Sequence, residues 1–581
     1  MTCSQSSWLA YSCVCPTMST SRYFLLYLWA ASLVSSHAVG SAQTGPTVRI
    51  ENGLVLGTTT SVPAASATVN QFLGIPFAQS PPERFSPPRA ASQVGIINAT
   101  AWKPACIQQF TYPVSSQQFT ESVFNNPAPV ESEDCLYLNI YAPATQPNDR
   151  SGRAVLFWLY GGGLEFGNAG QPAYDGSHFA GYEDVIVVTT NYRTNVFGFP
   201  SSPELPLTGH NLGFMDQRFA LDWVQRNIHA FGGDPSKVTI FGESAGAFSV
   251  DALLTSYPKD SKPPFRGAIM ESGQASYIGS PTTSSVPAWY NLTGELGCPG
   301  NFASNLSCVR AANATDIKRI IEIYSLEFNP SPDNVTLVSD PAQRRALGQI
   351  AKVPIMGGAN AQEGRVFQIG QTNITEFLNS YFSSSPALIL AIEEAYPLGK
   401  NGLNTPYDVI SQIWTDYIFQ CPQALLTNAS AASGIPTWRY YFNASFTNTQ
   451  RYPDLGVYHS SEIPIVFSTY PLFNVTTQEY ALSRFMRGAW ATFAKNPAAG
   501  PGWNAVGTGI VGAVYSTAFD GVLGGVLTSS NETVLQGEWN LGVLGDVEEV
   551  KGSGVTVLPQ SVADGRCAFF APVYEALLQG S

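Results

Sequence analysis

Charged side chains are scarce in this chain. Lys, Arg, Asp and Glu make up 12% of its 581 residues, about half the share of an average soluble protein. The charge that exists leans negative, with 42 acidic against 29 basic residues and a net charge of −13. Such a surface repels phosphate backbones, which excludes nucleic acid as a partner. Histidine is scarcer still. The five are His37, His178, His210, His229 and His459, and no two stand at the spacing of a zinc-hydrolase motif. No Cys-x-x-Cys pair occurs among the cysteines beyond the leader. Neither a metal nor an organic cofactor is expected.

Long apolar runs are also missing. The run from Tyr23 to Val34 is well short of the roughly 20 residues that span a bilayer. It follows Ser21-Arg22 and precedes the small residues Ser36-His37-Ala38 and Gly40-Ser41-Ala42, the layout of a secretory leader. The residues before Met18 fit no part of a leader, which points to Met18 as initiator. Ala576 to Ser581 carries neither a retention signal nor an anchor tail. These features predict a leader over 1–42, one domain over 43–581, no stable membrane anchor and release to the extracellular space.

What is present agrees with export. Cys3, Cys13 and Cys15 fall in the leader, leaving Cys106, Cys135, Cys298, Cys308, Cys421 and Cys567. An even number in an exported chain predicts disulfides, although six cysteines allow 15 pairings. Ten Asn-x-Ser/Thr sequons follow the leader, at Asn98, Asn291, Asn305, Asn313, Asn334, Asn373, Asn428, Asn443, Asn474 and Asn531.

Short apolar runs without polar alternation recur along the chain: Ala154 to Tyr160, Val185 to Thr190, Val238 to Phe241, Ala268 to Met270 and Val353 to Met356. Each ends in glycine or a polar cluster, as buried parallel strands do. Helical stretches lie between and after them, over Asp216 to Ala230 and, with apolar residues at i, i+3, i+4, over Tyr480 to Lys495. The fold class is therefore α/β, a mostly parallel sheet covered by helices on both faces, with loop and helix insertions.

Gly242-Glu243-Ser244-Ala245-Gly246 sits between the Val238 strand and a helical stretch. Gly-x-Ser-x-Gly in that position is the sharp turn that exposes a nucleophilic serine in α/β-hydrolases. There the chain order is Ser, acid, His. His37 leaves with the leader and three others precede Ser244, so His459 is the one eligible base. Glu363 follows a predicted strand end and suits the acid, with Asp340 and Asp454 as rivals that spacing leaves open. Gly161-Gly162-Gly163 offers backbone N–H groups for an oxyanion, joined by that of Ala245.

Here the chain resembles the type-B carboxylesterase/lipase family, which includes cholinesterases and secreted fungal carboxylesterases. Phe241 to Gly246 resembles its nucleophile signature and Glu133-Asp134-Cys135-Leu136-Tyr137-Leu138-Asn139 its second signature. Arg84-Phe85, Asn191-Tyr192-Arg193, Asp216-Gln217-Arg218 and Phe231-Gly232-Gly233-Asp234-Pro235 also fit. The resemblance implies an α/β-hydrolase fold and a Ser244–His459–Glu363 triad working through a covalent acyl-enzyme. It further implies Gly162, Gly163 and Ala245 as oxyanion donors and an Arg84–Glu133 ion pair. The implied disulfides are Cys106–Cys135, Cys298–Cys308 and Cys421–Cys567.

The loop between Cys106 and Cys135 bears on substrate. It has no Trp to bind a quaternary ammonium, and Pro113, Pro127 and Pro129 argue against a helical lid. Small to medium neutral esters are the expected partners. A triacylglycerol lipase and a non-catalytic cholinesterase-like adhesion protein are the alternatives. Adhesion relatives typically lose the nucleophile, which this chain keeps.

Overall fold

No polar residue interrupts Ala154 to Leu159, and this run is buried throughout as the strand Arg153–Leu159. The computed structural model describes residues 45–574 apart from 66, 93–94, 148–151, 278–283, 301–304, 508–539 and 546–553. The leader and Asn531 lie outside the described residues. Successive side chains of a strand point to opposite faces, so this strand feeds two cores. Leu156 and Trp158 pack with Leu482, Met486, Trp490 and Phe493 of the helix Thr477–Lys495. Val155, Phe157 and Leu159 pack with Leu221, Trp223 and Val224 of the helix Leu212–Asn227, and with Val250, Leu253 and Leu254 of the helix Ala245–Ser256. Each such large side chain contributes about 1.5–3 kcal/mol of burial.

Among the described residues the main sheet has eleven strands. From one edge they run Val555–Pro559, Asn540–Gly545, Thr437–Asn443, Ile355–Asn360, Gly267–Glu271, Gly233–Glu243, Arg153–Leu159, Ile186–Thr190, Tyr137–Pro143, Val69–Pro76 and Thr58–Thr60. All pairings between Asn540–Gly545 and Ile186–Thr190 are parallel. Those at the two edges are antiparallel. This is the α/β-hydrolase fold. A turn at Glu51-Asn52 closes a small hairpin, Thr47–Ile50 against Gly53–Leu56.

Two local expectations need correction. The strand expected over Val353 to Met356 runs instead from Ile355 to Asn360 and takes in both glycines. A Cβ on Gly358 would lie 2.5 Å from the Tyr440 ring, so close packing requires glycine inside the strand rather than in a loop. The second concerns the Cys106–Cys135 loop, which does contain a helix, Val114–Phe124. Pro113 stands just before its first turn, where a missing N–H costs nothing, and Pro127 and Pro129 lie beyond its end. Phe119, Val123 and Phe124 rest on a small cluster of Val366, Leu455 and Tyr458.

The three implied disulfides are present: Cys106–Cys135, Cys298–Cys308 and Cys421–Cys567. Arg84 forms the implied ion pair with Glu133, its Nε donating to Oε1 at 2.7 Å. Its Nη1 also donates to the carbonyls of Val309 (2.9 Å), Arg310 (3.0 Å) and Ala312 (2.6 Å), favourable at a helix C-terminus. Among the sequons, Asn305 and Asn443 are buried, whereas Asn98, Asn291, Asn313, Asn334, Asn373 and Asn474 are exposed. No described helix is long and apolar enough to cross a membrane.

One buried ion pair ties the helix after Ser244 to its surroundings. Asp251 and Arg345 have fully buried side chains and pair directly. Asp251 also accepts the N–H groups of Ala275 (2.9 Å) and Ser276 (2.7 Å), and Arg345 donates to Ser430 Oγ at 2.7 Å. Removing one partner strands the other charge in low dielectric. Arg345→Met should therefore lower the unfolding free energy by about 3–5 kcal/mol in a urea titration. A loss below about 1 kcal/mol would show that Asp251 is compensated by its N–H donors alone.

Candidate active site

The strand Gly233–Glu243 ends one residue before Ser244, and the helix Ala245–Ser256 begins one residue after it. Ser244 has φ 56° and ψ −121°, a conformation that strains any residue with a side chain. Crowding imposes it. A Cβ on Gly242 would lie 2.6 Å from the Leu159 carbonyl oxygen, and one on Gly246 would lie 2.0 Å from that same atom. A Cβ on Gly273 would sit 2.2 Å from the Ser244 carbonyl oxygen. The Ser244 N–H donates to the Glu271 carbonyl at 2.8 Å. Its half-buried side chain lines a cavity of about 350 Å³, shared with Gly162, Gly163, Phe124, Phe367 and His459.

His459 is buried and lines the same cavity from the turn just ahead of the helix Ile463–Phe467. Its Nδ1 lies 2.7 Å from Glu363 Oε2, and Glu363 Oε1 accepts the Asn360 N–H at 2.6 Å. The rival acids lie elsewhere. Asp454 is exposed and pairs with Arg365, and Asp340 stands at the start of the helix Pro341–Ala346. With Nδ1 as donor to the carboxylate, Nε2 is the nitrogen left to accept a proton. It forms no hydrogen bond with a described residue and sits 3.1 Å from Glu243 Oε1. Phe419 and Phe367 pack on the imidazole at ring-centroid distances of 4.7 and 5.0 Å.

Gly162 and Gly163 have φ of 103° and 64°, open to glycine and costly for other residues. Their N–H groups, and that of Ala245 at the first position of its helix, have no hydrogen-bond partner among the described residues. The positive end of the helix adds to the pull on any negative oxygen placed there. Ser244, His459, Gly162 and Gly163 all border one cavity.

Negative charge is concentrated around the imidazole. Burial pushes the Glu243 carboxyl up to about 6, against the opposing pull of His459 and the Ser460 hydroxyl, which donates to it at 2.5 Å. Burial also lifts Glu271, bonded to the Trp490 indole N–H at 2.8 Å, to about 8. Glu462, which accepts from the Asn360 amide, is raised well above the carboxylate range by burial and by its acidic neighbours. For His459, burial lowers the pKa, but Glu243 and Glu363 outweigh it and the value rises above 6.5.

Sequence reasoning gave no role to Glu243, Glu462, Phe367 or Phe419. The first two had a signal, one preceding Ser244 and the other three residues after His459. The phenylalanines had none.

The profile of the Carboxylesterase family matches residues 44–510. The chain belongs to the carboxylesterase family. It is 33% identical to the cholinesterase of Mus musculus over 515 residues, 82% of this chain and 83% of that protein. It is 32% identical to the chlorogenic acid esterase of Aspergillus niger over 496 residues, 82% of this chain and 90% of that protein. A cocaine esterase of Oryctolagus cuniculus is 35% identical over 481 residues, covering 78% and 87%. Family membership supports a serine-hydrolase-type ester hydrolase.

In this carboxylesterase the position of Glu243 makes a pH test available. Its charge holds the His459 pKa up, and only neutral imidazole can accept a proton. The kcat/KM profile should therefore rise with pH through a midpoint above 6.5. Glu243→Gln removes one raising charge and should move that midpoint toward acid. An unmoved midpoint would mean that Glu243 does not govern the imidazole.

Proposed function

We propose that this carboxylesterase cleaves carboxylic esters through a Ser244–His459–Glu363 triad and a covalent acyl-enzyme. The observation that carries the reading is the His459 Nδ1 to Glu363 Oε2 contact of 2.7 Å, with Nε2 making no hydrogen bond among the described residues and with His459 and Ser244 lining one cavity. Ser244 Oγ attacks the ester carbonyl while His459 Nε2 takes its proton. The N–H groups of Gly162, Gly163 and Ala245 stabilise the oxyanion. Collapse breaks the bond to the alkoxy oxygen, and His459 returns the proton to the departing alcohol. Water then attacks the acyl-Ser244 ester by the same route, releasing the acid and restoring the serine. Glu363 and Glu243 both stabilise the imidazolium formed in each half.

An organophosphate should label Ser244, and Ser244→Ala should lose several orders of magnitude in kcat, keeping a residual from the oxyanion donors. Near-normal turnover by that variant would refute the reading.

The preferred substrates are small to medium neutral esters in solution. Supporting this, the cavity walls contain Phe and Tyr but no Trp among the described residues, so the strongest cation–π partner is missing. Ser244 also stays half-buried rather than sealed with the helix Val114–Phe124 in place, so no oil surface is needed to uncover it. Butyrate esters should be turned over below their solubility limit without a jump above it, and faster than acetylthiocholine. A steep rise on emulsification would indicate a lipase. The protein is further read as a secreted single-domain enzyme over 43–581 with the leader removed. The three disulfides and exposed sequons support that.

A further inference from the structure

Two titratable side chains on the cavity wall form no ion pair among the described residues. Glu165 follows the glycine turn, and its backbone is firmly held. Its N–H donates to the Gly162 carbonyl at 2.9 Å, and its own carbonyl accepts from Gln109 N–H and Asn195 Nδ2, both at 3.0 Å. Its half-buried carboxylate forms no hydrogen bond or ion pair with any described residue. Arg451 borders the same cavity from the loop ahead of His459. It is exposed and forms no hydrogen bond or ion pair among the described residues, although its charge reaches Tyr458.

A half-buried carboxylate has given up part of its hydration, and an alkyl group laid against it would strip the rest without replacement. Hydroxyl groups restore what was lost. A guanidinium on the same cavity supplies donors for hydroxyl oxygens and disfavours a cationic guest. Resting on the ester-hydrolase reading above, we propose that Glu165 is a specificity-determining residue that accepts hydrogen bonds from substrate hydroxyls. The site then prefers esters of polyhydroxylated alcohols to alkyl esters of equal size. Arg451 assists as donor. A site built for such bonds discriminates against the analogue that lacks them.

The pH behaviour gives an independent handle. Burial, and after it the charge of Glu327, push Glu165 up to about 7. An ionised carboxylate accepts more strongly than a neutral one. Its other charged neighbours on the cavity wall are Arg451, Glu243 and His459. The last two act on the chemical step, which is common to all esters, and cancel in a ratio of two substrates.

The test compares the monobutyrate of a hexose with the butyrate of cyclohexylmethanol, both dissolved. In the wild type the ratio of kcat/KM, hexose over cyclohexylmethyl, should rise between about pH 6 and 8 as Glu165 ionises. Glu165→Gln, nearly isosteric, should lower the ratio about tenfold at the upper pH and flatten its pH dependence. Arg451→Gln should lower it by a smaller factor. A ratio unchanged in Glu165→Gln, or a pH dependence that persists there, overturns the proposal. So does a preference for a butyrate ester of an amino alcohol that Glu165→Gln abolishes, since the carboxylate would then be a cation site. A wild-type protein that leaves both butyrates intact would instead overturn the ester-hydrolase reading itself.

Discussion

Backbone crowding around Ser244 is the constraint on which the rest of the site depends. Loops at the ends of three neighbouring strands converge there, from Leu159, Glu243 and Glu271. Gly161 faces Ser244 so closely that a Cβ would lie 2.9 Å from the serine Cβ. Gly242, Gly246 and Gly273 meet backbone oxygens at comparable or shorter range. Only with side chains removed at these points can the strand turn into the helix at Ser244 and hold its φ of 56°. The strain is sustained by the buried sheet on either side, because relaxing it would pull apart strands packed on both faces. The same convergence brings the Gly162 and Gly163 turn alongside the first turn of the helix Ala245–Ser256.

Electrostatics forms the second layer. A buried imidazole alone would resist protonation, and a base that cannot hold a proton cannot pass it on. Here two carboxylates contact one ring, Glu363 at Nδ1 and Glu243 near Nε2, and together they reverse the effect of burial. Glu462 and Glu271 sit in the same buried region with raised pKa values. Burial disfavours their charged forms and leaves them as hydrogen-bonding groups beside the site.

Much of this was readable in the residues. Ala154 to Leu159 lacks any polar alternation, and a strand buried on both faces tolerates none. Gly242 and Gly246 bracket Ser244 because no other residue fits beside the Leu159 carbonyl. Legibility ended where local and tertiary demands differ. The prolines at 113, 127 and 129 looked like helix breakers, yet they flank the helix Val114–Phe124, which is held by Phe119, Val123 and Phe124 resting on residues more than 200 positions away. Gly357 and Gly358 looked like a loop, and only Gln423 beside the first and the ring of Tyr440 beside the second explain why a strand needs them.

The sequence by itself determined the fold class, the strained serine turn and the one histidine able to follow it. Those features follow from periodicity, from glycine's lack of a Cβ, and from a simple shortage of alternatives. The tertiary structure decided which acid meets His459, since spacing in the chain leaves Glu363, Asp340 and Asp454 open and only folding brings one carboxylate to 2.7 Å. It also decided that Glu243 approaches Nε2 and that Phe419 and Phe367 cover the ring. It left the Glu165 carboxylate on the cavity wall without a hydrogen-bond partner among the described residues. Distances between residues far apart in the chain are set by packing, and no local pattern encodes them.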